Sequence, residues 1–186
     1  MIARRWLVAA MLGFSCGAVS AAEEQFKVDP EHTYPSFEFS HMGISVWRGK
    51  FTKTSGTVTL DRAARTGGVE IRVDPASVDF GHRTMNGVAI SEDWLNVERF
   101  PLMRYRGPIV FEGDKPAAVE GDLTLLAVTK PVRLRIVSFN CITHPVFHRE
   151  VCGADAEGDF NRSDFGMKQY RQGEMIRLRI QVEAMR

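Results

Sequence analysis

Catalytic signatures are what this sequence most lacks. It has no G-x-S-x-G, no H-E-x-x-H and no glycine-rich phosphate loop, so the usual hydrolase, metalloprotease and nucleotide-binding patterns are absent. Charge of one sign is missing too: 24 Lys and Arg stand against 23 Asp and Glu. That balance carries no electrostatic footprint of a nucleic-acid partner or of an anionic membrane. No apolar run reaches the roughly 20 residues that a membrane-crossing helix needs. Cysteines number three, at 16, 141 and 152. There is no internal repeat, linker or low-complexity tract.

The N-terminus is patterned. Arg4-Arg5 precede an apolar stretch from Trp6 to Phe14, and small residues close it at Ser20-Ala21-Ala22. This is the layout of a secretory signal peptide over residues 1–22, cut after Ala21 or Ala22. Cys16 lacks the leucine and small-residue context of a lipid-attachment site. The remainder, 23–186, is long enough for one good-sized core and is expected to be a single domain.

Export changes the meaning of CITHPVFHREVC, residues 141–152. Cys141, His144, His148 and Cys152 have the donor types of a closed structural zinc site. Cys141 and Cys152 are also the only thiols left after the leader and would meet an oxidising compartment, which favours a disulfide. Pro145 directly after His144 fits a bent loop better than a helix presenting both imidazoles on one face. The disulfide is the preferred reading, with the zinc cluster as its alternative.

Elsewhere apolar residues alternate with polar ones, the period of a half-buried strand. Ile176, Leu178, Ile180, Val182 and Ala184 would face one way, and Arg177, Arg179, Gln181 and Glu183 the other. The same alternation marks Phe37–Phe39, Val119–Leu125 and Val132–Ile136. Further strands are expected at Phe26–Asp29, Gly49–Thr54, Gly56–Asp61, Val69–Val73, Leu102–Arg106, Ile109–Phe111 and Ala154–Phe160. Turns are expected at Asp61–Gly68 and Gly113–Pro116. Only His82–Asn96 looks helical, and Gly87 argues against one long helix. Short, evenly spaced strands of this kind build an all-β antiparallel barrel or sandwich of about eight strands with one or two short helices. The inward set is rich in Phe and carries almost no charge. At about eight strands a barrel interior is either packed solid or holds one small ligand, and the pattern alone does not choose.

His41 shares the parity of Phe37 and Phe39, which would set an imidazole among apolar walls. A hydrogen-bonded structural histidine is the commoner outcome than a catalytic base. Asp155, Glu157 and Asp159 read as the wet face of a strand, and Asn161-Arg162-Ser163 as a chance sequon match.

Four stretches together carry a family likeness: His41-Met42-Gly43 with Gly49-Lys50-Phe51; Asp93-Trp94-Leu95-Asn96 with Phe100-Pro101; EGDLTLLAVTKPVRLRI (120–136); and AEGDFNRSDFGM (156–167). With them the chain resembles the YceI-like family of bacterial periplasmic proteins. The resemblance implies an extended, lipocalin-like antiparallel β-barrel whose apolar tunnel binds a polyisoprenoid such as a prenyl quinone or prenyl phosphate. It implies a periplasmic, non-enzymatic lipid binder without a cofactor, and a b-type cytochrome membrane protein as candidate partner. A homodimer is an open assembly. On this reading the tunnel candidates are Phe37, Phe39, His41, Trp47, Phe51, Trp94, Leu95, Phe100, Phe111, Phe139 and Phe165.

Two departures from the family pattern bear on the outcome. Leu126-Ala127 stands where a polar residue and glycine commonly precede V-T-K-P, so that turn must differ in form or accept strain. Met85–Ile90 is nearly uncharged where relatives carry charged residues, which favours a neutral head group. Two rival readings remain. One is an exported enzyme or zinc protein using His41 or the Cys141/His144/His148/Cys152 cluster. The other is a filled structural barrel acting in stress response or through partner contacts.

Overall fold

The alternating segments become strands in the computed structural model, which describes residues 23–167 and 174–186. The leader expected over 1–22 lies outside them. In chain order the elements are β1 (Glu24–Val28), β2 (Tyr34–His41), β3 (Ser45–Phe51), β4 (Thr54–Asp61), β5 (Thr66–Val73), β6 (Val78–Asp79), α1 (Arg83–Ile90), β7 (Met103–Glu112), β8 (Lys115–Leu125), β9 (Val128–Thr143), β10 (Glu150–Asn161) and β11 (Met175–Met185). Short 3₁₀ turns cover Pro75–Ser77 and Arg162–Phe165.

All strand pairs are antiparallel, in the order β1-β4-β5-β7-β8-β9-β10-β11, and β1 pairs back onto β11 to close a ring of eight. Closure removes the open edges that an eight-stranded sheet would otherwise present. β1 and β2 follow one another along the same edge of β11. Val28 pairs with Ala184, and after a jog at 29–33 Tyr34 pairs with Gln181. β1 also pairs with β4, whereas β2 leads off to β3 and β6. The barrel is therefore a tight ring at one end and widens at the other through a three-stranded leaf.

Several expectations are revised. The segments expected at Leu102–Arg106 and Ile109–Phe111 form one strand, β7. Pro108 interrupts its hydrogen bonding and not its direction: β5 pairs through Gly68–Pro108, while the β8 ladder steps from Arg106–Asp122 to Ile109–Val119. The helix expected over His82–Asn96 is only Arg83–Ile90. His82 Nδ1 caps it by accepting from the Met85 N–H at 3.2 Å, and the Ser91 hydroxyl ends it by donating to the Val88 carbonyl at 2.7 Å.

The β8–β9 hairpin accepts the strain. Leu126 and Ala127 both take left-handed backbone, φ 51° and 62°, which costs an L-residue about 1–2 kcal/mol each. The two-residue turn joining β8 to β9 needs that handedness to match the twist of its strands.

The ring end holds the tightest core, where Phe26, Val28, Leu60 and Ala184 are buried. Along β11 the inward residues Ile176, Leu178, Ile180 and Val182 are only half-buried, although they face the barrel interior. The interior is hollow at their level.

Candidate functional site

The hollow is a cavity of about 250 Å³, walled by the inward residues of the ring and of the β2–β3 leaf. Its wall is aliphatic and aromatic: Val58, Ile71, Leu123 and Leu134 from the ring, with Phe37, Phe39, Phe51 and Phe80 on the leaf side. A wall of this kind gives water no partners and hydrocarbon a dry surface.

Two glycines make room for rings in this wall. A Cβ on Gly121 would lie 2.3 Å from the Tyr105 ring, and one on Gly49 would lie 2.7 Å from the Phe37 ring. Both glycines belong to the stretches that carry the family likeness. Tyr105 crosses β8 over Gly121 and donates towards the Val119 and Val132 carbonyls at 3.2 and 2.8 Å. Its hydroxyl is thus spent on backbone, and burial pushes its pKa above the ordinary phenol value.

An aromatic cluster stands at the widened end. Phe39 lies 6.4 Å from both Trp47 and Trp94, and Phe80 meets Phe37 edge-on at 5.4 Å. Such tilted and edge-on pairs add to simple burial. Beside them sits Arg162, 3 % exposed, the only buried charged residue among those described. It belongs to the cavity wall, and its guanidinium carbon stands 5.5 Å from the Trp94 ring centroid. Burial lowers its pKa from the ordinary arginine value while the Glu174 carboxylate opposes that shift, and an arginine stays cationic throughout. The expected near-absence of inward charge therefore has one exception.

Of the residues singled out in the sequence, Phe37, Phe39, Phe51, Trp94, Leu95 and Phe139 line the cavity. His41, Trp47, Phe100, Phe111 and Phe165 do not, each for a local reason. His41 lies beyond the last lining residue of β2 and stacks on Trp47 at 4.5 Å. Trp47 packs behind Phe39 and Phe80. Phe100 sits in the segment after α1 under the Arg99 guanidinium. Phe111 keeps the inward parity of Ile109, half-buried between exposed Val110 and Glu112 and packed against the core, but lies beyond Ile109, the last lining residue of β7. Phe165, 1 % exposed, packs edge-on behind Phe160, which does line the cavity.

The sequence reading passed over Phe80, Tyr105, Phe160, Met167 and Arg162. Tyr105 and Phe160 had the signal of alternation. Arg162 had none, because a 3₁₀ turn has no strand parity.

At the ring end Cys141 and Cys152 are direct cross-strand partners and form a disulfide, S–S 2.08 Å. The zinc reading is withdrawn: bonded to each other, the sulfurs offer no thiolate. The third group beside them is Glu150, not a histidine. His144 is engaged in its own loop, where Nδ1 accepts from the Val146 and Phe147 N–H groups. Arg62 Nη2 lies 3.5 Å from each sulfur and 2.9 Å from Glu150 Oε1.

Among the described residues no helix is long and apolar enough to cross a membrane. A family model described as the YceI-like domain matches residues 26–184. The protein YceI of Escherichia coli O17:K52:H18 is 30 % identical over 163 residues, covering 87 % of this chain and 85 % of that protein. Among solved structures, Burkholderia cenocepacia BcnA superposes with TM-score 0.68 at 21 % identity, covering 84 % of this chain and 99 % of that one. A polyisoprenoid binding domain from Saccharophagus degradans, implicated in plant cell wall breakdown, superposes with TM-score 0.62 at 11 % identity, covering 86 % and 97 %. The last two establish likeness of fold, and the match of the family model across the whole ring and leaf shows that this chain belongs to the YceI-like family.

Proposed function

We propose that the protein is a periplasmic lipid-binding protein that holds the tail of a polyisoprenoid in the barrel cavity and makes or breaks no bond in it. The observation that carries this reading is the apolar cavity itself, hollow at the level of Ile176–Val182 and walled by Phe, Leu, Ile and Val. A prenyl tail is methylene, methyl and alkene throughout. Moving it from water into such a wall is worth about 0.8 kcal/mol per methylene-sized unit before ordering costs.

Size sets the first selectivity. On the scale where an apolar cavity of about 150 Å³ holds one benzene, the cavity of about 250 Å³ holds roughly ten carbons, or about two isoprene units. A longer tail would need the wall to part. The head group has few partners. The inward residues of α1, Met85 and Ala89, are apolar, and the Tyr105 hydroxyl is turned to backbone. Arg162, buried in the cavity wall beside Trp94, is a fixed positive charge that would favour a head group rich in oxygen, whether a quinone or a phosphate. The leader pattern and the Cys141–Cys152 disulfide support an oxidising compartment such as the periplasm.

The test is organic extraction and mass spectrometry of protein purified from its native host, with osmotic-shock fractionation to locate it. A prenyl lipid recovered in near-equal amount from the periplasmic fraction supports the reading. Repeated recovery without any long-chain lipid would sink it.

A further inference from the structure

The β2–β3 hairpin is apolar on its outside as well as its inside. Met42, Ile44 and Val46 are 60, 79 and 43 % exposed. Isolated surface hydrophobes are ordinary, but a contiguous group beside a cavity mouth marks a contact surface. Met42 (φ 57°) and Gly43 (φ 75°) take left-handed backbone, and the Ile44 N–H donates to the His41 carbonyl at 3.1 Å. The tip is therefore a defined turn that holds these side chains in water.

Two further observations identify what the tip meets. The first is continuity with the cavity. His41 stacks on Trp47, and Trp47 stands 6.4 Å from Phe39, a ring of the cavity wall, so an aromatic column runs from the tip to the interior. The second is charge. Glu38, the carboxylate of the hairpin, is shared between Arg48 and Arg177, which leaves one cation in excess there, while Lys53 is paired with Asp74. Arg48 stays 70 % exposed beside its partner Glu38. The chain as a whole is near neutral, so this is a local feature. Exposed aliphatic side chains, a Trp just behind them and a flanking positive charge are the composition of a segment that settles in the head-group region of a bilayer.

We propose that the hairpin tip docks the protein on a lipid bilayer bearing anionic head groups. Met42 and Ile44 enter the head-group region, Arg48 meets lipid phosphates, and the Trp47–Phe39 column comes to lie between bilayer and cavity. Docking stands on the hairpin alone, while passage of a lipid along the column rests on the carrier reading above. A second exposed apolar group, Val146 and Phe147 at 70 and 60 %, lies on the β9–β10 loop beside Glu150 and away from the cavity wall. It serves as the internal control.

The signal-cleaved protein is sedimented with vesicles of phosphatidylethanolamine and phosphatidylglycerol in equal parts. Met42→Asp/Ile44→Asp is expected to lower partition on the order of a hundredfold, since each buried side chain is worth about tenfold or more. Val146→Asp/Phe147→Asp stays within about twofold, the range of surface substitutions away from a contact. Partition of the wild type falls as salt rises. Should the double-aspartate variant fail to fold, Met42→Ser/Ile44→Ser is read in the same way.

Wild-type partition in the hairpin variants, or a loss carried by the β9–β10 loop instead, overturns the proposal. So does a hairpin variant whose only change is a smaller mass in sedimentation, which would make the tip a contact between copies. Prenyl lipid offered in detergent micelles separates the two readings. If the hairpin variants load normally from micelles yet fail on vesicles, both stand. If the wild type docks through the hairpin but never loads, docking stands and the carrier reading falls.

Discussion

The two ends of the barrel are built on different physics. At the ring end the chain is locked by several means at once: the cross-strand disulfide, the ring closure through Lys27–Met185 and Val28–Ala184, and an ion-pair cluster. In that cluster Arg62 and Arg186 each pair with both Glu24 and Glu150. Phe26 fills the interior there and the Arg62 guanidinium lies over its ring. At the leaf end the strands diverge, the interior opens into a cavity and an aromatic cluster fills the widened side, with ion pairs from Glu38 to Arg48 and Arg177 on its outer face. Stability is concentrated where there is no cavity, and the cavity is set where the backbone is least cross-connected, the usual placement of a binding region.

That division can be broken by experiment. The largest effect is expected from Phe26→Ala, which empties the plug of the ring end. Unfolding in urea should show a loss of about 3–5 kcal/mol, while the lipid carried per folded molecule stays at the wild-type amount, because Phe26 is not part of the cavity wall. Lipid lost in proportion would show that the two ends are not separable. Next comes Cys141→Ser/Cys152→Ser. Releasing a loop of this length should cost about 2.5–3 kcal/mol in the same assay, again without loss of lipid.

The leaf end should answer differently. Replacing Leu126-Ala127 with Asn-Gly relieves two left-handed positions and should raise stability by about 1–2 kcal/mol. No gain would mean that Leu126, which packs against the core, contributes as much as the strain costs.

The smallest effect lies at the jog between β1 and β2. His32 Nδ1 and Asp29 are 2.8 Å apart. The Asp29 carboxylate raises the His32 pKa, and His32 holds Asp29 below the ordinary carboxylate value. Asp29's share of the contact is therefore present above the unfolded carboxylate value and fades as pH falls through its lowered value. His32's share is complete below the ordinary imidazole value and fades as pH rises through its raised value. His32 is exposed and Asp29 half-buried at the surface, so the stability involved is small. The clean readout is the His32 titration midpoint by NMR, which should fall back in Asp29→Asn.

The sequence was most informative where structure is local. β11 shows the alternation expected of it from Ile176 to Ala184, and the exchange of glycine for Leu126-Ala127 was visible as a turn that had to accept strain. The disulfide followed from counting the thiols left beyond an expected leader over 1–22. Ring closure came with the family likeness and not from local pattern, because β1 pairs with both β4 and β11 and alternation records no partner that far along the chain. Parity alone did not fix the wall: Phe111 and His41 keep the inward parity of their strands but lie beyond the last lining residues, and the 3₁₀ turn that buries Arg162 has no parity. Those positions decide which aromatic rings meet the cavity and which pack behind them, so the family and the barrel were readable sooner than the wall.

The leaf of β2, β3 and β6 joins the ring through only five residue pairs, Arg177–Glu38 to Gln181–Tyr34 on β11. Parting it would leave the eight-stranded circuit unbroken. Lifting β2 and β3 off β11 is therefore the opening of the wall that disturbs the fewest ring pairs, and amide protons of β2 and β3 should exchange with solvent well ahead of those in β8 to β10.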